Sequence, residues 1–381
     1  MKKLFSFLLA MLIFVSPIID TSAAATNISK GDLTVTTEER ASIESHMRAR
    51  GIWGISFVAD VLFDENDDAK FLLGATDNGY IILERDTYVF HECSEGSNPY
   101  ANFMSAKKYY GGPFCYYADT ANTNGVTNSL TSNAEPAGVY NIMSGTYETS
   151  MNTMEFRADV AVAENSAASR SVTTNGETRV NSASAYIRRK AFGVNAGAYN
   201  NTCSAVATAI ALNYITLQHN IPLVATNKRS ESLNGIANSS NISSKYPQAH
   251  ALHTLLVDTY GMHAASFALD VVAAVQRYAA YEVPSGHSLN LSHTLAPAFN
   301  TIKTKINADM PVLVTTTAAS PSTLNNHTMV VYGYRGTNEL LVHLGWYAQT
   351  GMTCTSSDGR FHNEFWMSNG YSTYGYYFTV S

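Results

Sequence analysis

The run Asn200-Asn201-Thr202-Cys203-Ser204-Ala205-Val206-Ala207-Thr208-Ala209-Ile210-Ala211-Leu212-Asn213-Tyr214-Ile215 decides how the rest of the chain is read. A polar, turn-forming stretch stops at a cysteine and passes at once into an alanine-rich helix. Thr202 is the expected N-cap, its hydroxyl accepting a bond from a first-turn N–H. Cys203 is then the first helical residue. Its thiol lies at the positive end of the helix dipole, where a lowered pKa favours the nucleophilic thiolate. The other reading is a small buried hydrophobe, since free cysteine is among the most buried residue types. This stretch by itself leaves both readings open.

Composition narrows the setting. The chain has 381 residues, 45% of them apolar, which is ample for a core, and only 14% charged. Its surface is therefore built from Ser, Thr, Asn, Gly and Tyr, and the 23 tyrosines suit a secreted protein with much β-structure. A net charge of -6 with no basic stripe excludes nucleic acid as a partner. Lys2 and Lys3, the apolar run Leu4 to Ile19 and the small residues Ala23-Ala24-Ala25 make residues 1–25 a cleaved export signal. No later apolar run reaches the length of about 18 residues that a spanning helix needs. The expected product is secreted and extracellular, has no membrane association after signal cleavage, and is a monomer. Cys93, Cys115, Cys203 and Cys354 allow three full pairings, and a local bridge between Cys93 and Cys115 is one option. No cysteine or histidine spacing fits zinc, so no metal and no cofactor are expected.

Taken in order, Thr36-Thr37-Glu38-Glu39-Arg40 opens a helix, with a hydroxyl cap and acids in the first turn. Strands follow at Ile55 to Phe63, Phe71 to Ala75, Tyr80 to Leu83 and Tyr88 to His91, with Asp77-Asn78-Gly79 as a hairpin signal. Lys107 to Pro113 reads as an ordered loop. Residues 26–157 are thus expected to form a small helix-plus-antiparallel-sheet domain. Residues 158–190 have linker composition, and Arg188-Arg189-Lys190 is an exposed basic triplet open to proteolysis. Residues 191–381 form the second domain. Its helices are expected from Cys203 to Gln218, after Tyr246-Pro247, from Leu269 to Tyr281 and from Pro297 to Asn307. Strands are expected at Met310 to Thr316, Thr328 to Tyr334, Glu339 to His343, Phe361 to Trp366 and Tyr374 to Val380. The fold class is α+β.

A helix-end thiol needs a base. His327 starts a strand after the polar loop Ser320 to Asn326, and from there an imidazole can take the thiol proton and later protonate a leaving amine. Taken alone, His327 is equally an ordinary strand-start histidine.

With both segments in hand, residues 191–381 resemble the secreted bacterial papain-like cysteine peptidases, the streptopain-like and bacteriocin-leader-peptidase-like families. The matching pieces are Asn201 to Ala209 with Asn213-Tyr214, Pro311-Val312-Leu313-Val314, His327 with Val330-Val331-Tyr332-Gly333-Tyr334, and Val342-His343-Leu344-Gly345-Trp346. The first domain, with Asp77 to Ile82, is similar to the pro-region that precedes such domains. The resemblance implies a papain-like fold, a protein or peptide substrate, and a zymogen. It implies Cys203 as nucleophile, His327 as base and Trp346 as the aromatic shield. His343 falls at the position that orients the base, where the family has Asn or Asp. The family's oxyanion glutamine is missing, and Asn200 or Asn201 is the replacement, with the backbone N–H of Cys203 as second donor. Two other functions use the same residues: a non-catalytic secreted binding protein on this fold, and a transamidase passing the acyl group to an amine.

Overall fold

The computed structural model describes residues 34–96, 98–113, 115–119, 138–142, 145–154, 156–157, 176–192, 202–233, 242–263, 268–317, 327–345 and 364–381. Cys203–Gln218 is a single helix, and every residue from Cys203 to Thr216 is buried. A helix made of small and apolar residues all round has no face to offer water, so it runs through the interior. Polar side chains along it pin neighbouring chain. Tyr214 OH donates to Asn181 O at 2.8 Å, Asn213 Oδ1 accepts from Ser230 N at 3.0 Å, and Thr216 Oγ1 accepts from Val224 N at 3.1 Å.

Against it lies a mixed sheet, mostly antiparallel. From one edge, its strands are β10 (Leu289–Leu295), β15 (Tyr374–Val380), β11 (Val312–Thr316), β12 (His327–Arg335), β13 (Glu339–His343), β14 (Glu364–Ser368) and β4 (Phe90–Ser94). The path goes on through β3 (Gly79–Glu84), β2 (Ala69–Thr76), β1 (Phe57–Phe63), β5 (Lys107–Tyr110), β6 (Tyr116–Asp119), β7 (Val139–Asn141) and β8 (Thr146–Glu148). Strand β9 (Thr178–Arg179) adds to β12 beside Gly333 and Tyr334. The seam between the amino-terminal and carboxy-terminal strands is the antiparallel pair β4–β14, in register at Cys93↔Trp366 and Glu92↔Met367.

The amino-terminal strands read as near-continuous apolar runs because both of their faces are covered. The helix Thr37–Ala49 lays Ile43 and Met47 on one face. It begins in a reciprocal capping box between Thr36 and Glu39. Gly74 is what lets it sit so close: a Cβ there would lie 2.1 Å from Ile43 Cγ2. On the other face Leu62, Leu73 and Ile82 pack with Tyr80, Tyr100, Tyr110 and Tyr116. Within the seam strand, Glu92 is fully buried and accepts from the hydroxyls of Tyr80 at 2.9 Å, Tyr116 at 2.6 Å and Tyr110 at 3.2 Å. Burial pushes its carboxyl up to about 7, against the pull of these three donors.

A second buried group crosses the seam. Glu339 of β13 accepts from Arg50 Nε at 3.2 Å and from Arg335 Nε at 2.5 Å. Arg335 also donates to Cys93 Sγ at 3.0 Å and stacks 4.0 Å over the Trp366 ring. Cys93 and Cys115 are buried free thiols, so they do not form the local bridge considered above. Burial pushes them up to about 11 and about 12. Cys354 lies outside the described residues.

Several expectations need correction. Lys107–Tyr110 is a strand and not a loop; it pairs with β6 and touches β1. Its inward position 108 carries a lysine, which hid the alternation. Lys108 is nonetheless buried, because its ammonium meets Asp60 at 2.7 Å and the carbonyls of Met104 and Ala106 at 2.9 and 3.0 Å. Strand β10 was not expected, since only Leu289 and Leu291 along it are buried. The hairpin at Asp77-Asn78 is present, with Thr76 opposite Gly79, yet neither turn residue has a positive φ. Of the stretch expected to be a linker, 158–175 lies outside the described residues, and 176–190 is laid against the sheet. There Ala183 and Ile187 are buried, and Arg188 pairs with Glu364 at 2.8 Å. A cut at Arg188-Arg189-Lys190 would have to open this helical turn.

Candidate active site

Cys203 is the first residue of its helix, as expected, and Thr202 is the N-cap residue. The cap itself differs: the Thr202 hydroxyl does not accept from the first turn but meets His253 Nε2 at 3.0 Å. His253 comes from the helix Pro247–Thr254 and is buried, with its pKa held down to about 3 by that burial. Nothing in the sequence around His253 marks it as a neighbour of the cysteine.

The link between the cysteine and the expected base is made by the main chain. Thr328 N–H donates to Cys203 Sγ at 3.4 Å, and Thr328 follows His327 directly at the start of β12. The helix-end thiol thus meets the start of β12, one residue along the chain from His327. His327 Nε2 lies 3.0 Å from the Leu344 carbonyl oxygen. A carbonyl only accepts, so this partner assigns the proton to Nε2 and leaves Nδ1 as the basic nitrogen of the neutral ring.

Burial opposes charge on both groups. It holds the Cys203 thiol above its usual range, with the Thr328 N–H pulling the other way. It also holds His327 down to about 4, again against a hydrogen bond, the one to Leu344. Burial thus favours the neutral form of both groups.

His343 has a different place from the one the resemblance implies. It lies opposite Val330 in the β12–β13 register. Side chains alternate along a strand, and Val330 is three residues from His327, so the two histidines belong to opposite faces. His343 Nδ1 accepts the Gly345 N–H at 3.0 Å, and its ring meets Phe192 edge-on at 5.9 Å. Burial holds it down to about 3, and Arg188 adds to the effect. The His327 ring instead meets the backbone carbonyl of Leu344, the residue after His343, which no side-chain pattern could have revealed. Gly345 is required twice over: its φ is +71°, and a Cβ would lie 2.8 Å from Val206 Cγ1, one turn along the cysteine helix. Asn200, Asn201 and Trp346 lie outside the described residues. Among the described residues, no group of three or more His, Cys, Asp or Glu side chains could hold a metal ion, and no helix is long and apolar enough to cross a membrane.

A mixed α/β fold with a cysteine at the start of a buried helix and a histidine at the start of a core strand is in keeping with a papain-like cysteine peptidase. Residues 183–374 match the model of the Peptidase_C39 like family, and the chain belongs to that family. Among solved structures, it is similar to a fragment of prointerpain A from Prevotella intermedia, with a TM-score of 0.36 and 10% identity over 84% of this chain and 98% of that one. No curated protein matches it.

Proposed function

We propose that this cysteine peptidase is exported as a precursor and hydrolyses peptide bonds through Cys203, with His327 as general base. The observation that supports the reading is the Thr328 N–H on Cys203 Sγ, one residue along the chain from His327. In this mechanism Nδ1 of His327 takes the thiol proton as sulfur attacks the peptide carbonyl carbon. The imidazolium then gives that proton to the leaving amine, and water, deprotonated by the same ring, hydrolyses the thioester. The Leu344 carbonyl holds the ring in the needed tautomer. Asn200 or Asn201 with the Cys203 N–H would bind the oxyanion, and Trp346 would shield the pair.

The precursor reading draws on two features. Cys203 is only 8% exposed, and burial favours the neutral form of both groups, as suits a closed cleft. The amino-terminal strands share a sheet with the candidate catalytic strands. The test is cleavage of casein by the full chain before and after limited proteolysis, beside Cys203→Ala and His327→Ala. Loss of cleavage in both variants is expected. Persistent cleavage by Cys203→Ala would refute the nucleophile, and silence of the native protein under all conditions would favour a binding protein on this fold.

A further inference from the structure

We propose that Thr328 and Ser204 form a hydroxyl clamp that holds the Cys203 thiolate in its buried site, making them positioning residues for the nucleophile. One hydrogen bond to the sulfur and a chain of three hydroxyl contacts leading away from it carry the proposal. Thr328 donates its N–H to Sγ at 3.4 Å. Its Oγ1 lies 3.0 Å from Ser204 Oγ, so the two hydroxyls join the strand to the helix directly beside the cysteine. Thr328 Oγ1 is also 2.9 Å from Thr315 Oγ1 on β11, and Thr315 reaches Tyr376 OH on β15 at 3.3 Å. All four side chains are buried or nearly so, which makes the chain of hydroxyls a fixed part of the core.

The chemistry follows from the burial. A thiolate in a dry site needs donors to replace lost water. Hydroxyl groups rotate, so each can turn its proton to sulfur in the thiolate state and to a neighbouring oxygen in the thiol state. A threonine and a serine thus supply stabilisation that exists only when charge is present. In line with this, burial raises the thiol and the N–H and hydroxyl groups of Thr328 and Ser204 pull it back down. The titratable groups on the elements packed here are His327, one residue before Thr328 on β12, Tyr376 on β15, whose hydroxyl accepts from Thr315, and His253, beside the Thr202 hydroxyl.

This inference rests on Cys203 as the nucleophile, and its test separates the two. The pH titration of the Cys203 thiolate is read by ultraviolet absorbance in the full chain, as a difference from Cys203→Ser. Thr328→Val is expected to raise the midpoint by about one pH unit, a tenfold loss of thiolate at fixed pH. Ser204→Ala is expected to raise it by less, and Thr328→Ser to restore it. If both Thr328→Val and Ser204→Ala titrate with the native midpoint, the clamp is overturned. It is equally overturned if native Cys203 gives no thiolate signal at all. Should Thr328→Val fail to fold by circular dichroism, Ser204→Ala decides alone. Casein cleavage, measured separately, reports the peptidase reading and does not enter the titration.

Discussion

Replacing Glu92 with glutamine should remove a pH dependence that the native fold carries at its seam. The Glu92 carboxyl is fully buried, and three tyrosine hydroxyls surround it. Burial raises its pKa from an ordinary 4.5 to about 7. A raised pKa means that the folded state binds this proton more tightly than the unfolded chain does. The associated stability is complete below the unfolded value and is lost as pH rises through the folded one. A shift of this size corresponds to about 3 kcal/mol between the two ends of the window. Urea unfolding of the full chain from about pH 4.5 to about pH 8 reads it directly. The native protein should lose about 3 kcal/mol more than Glu92→Gln over that range. Buried histidines such as His91, held down to about 3, titrate with the opposite sign, but both proteins share them and they cancel in the difference. A native-minus-variant difference that stays constant across this range would refute the reasoning.

Further substitutions probe the seam and the base. Glu339→Ala leaves the buried guanidinium groups of Arg50 and Arg335 without their carboxylate, and should cost about 3–5 kcal/mol in urea unfolding; a loss near zero would mean the cluster is solvated. His343→Ala should keep most peptidase activity, because position 343 lies on the opposite face of the sheet from His327, whereas His327→Ala should lose about a hundredfold or more in kcat. A collapse of kcat in His343→Ala with unchanged unfolding would instead make His343 the orienting residue.

The helices were the most legible part of the sequence. Cys203–Gln218 has the expected bounds because Pro222 lies just beyond it and its small residues allow no other use. The capping box at Thr36 and Glu39 likewise marked its helix. Strands whose inward positions are polar were not legible: β5 hides behind Lys108, and β10 buries only two leucines. At the site, Cys203 and His327 could be proposed as a pair from residue type and order. Their supports could not. The Leu344 carbonyl belongs to the backbone and has no residue-type signature, and the Thr202 hydroxyl is diverted by a histidine from a distant helix. The Thr328–Ser204 contact joins two common residues that mean something only once a strand is set against a helix end.

The pairing of β4 with β14 also governs the order in which the molecule can be completed. Strands β1 to β4 are made early, but the neighbour of β4 arrives only with the last residues of the chain. Until then β4 keeps an unpaired edge, and such an edge readily recruits the wrong partner. Pairings this far apart in sequence form slowly, since a long loop must close before any contact repays it. Chains cut short before Glu364 would therefore be left with an uncovered β4 and prone to aggregate, however well their amino-terminal strands had formed.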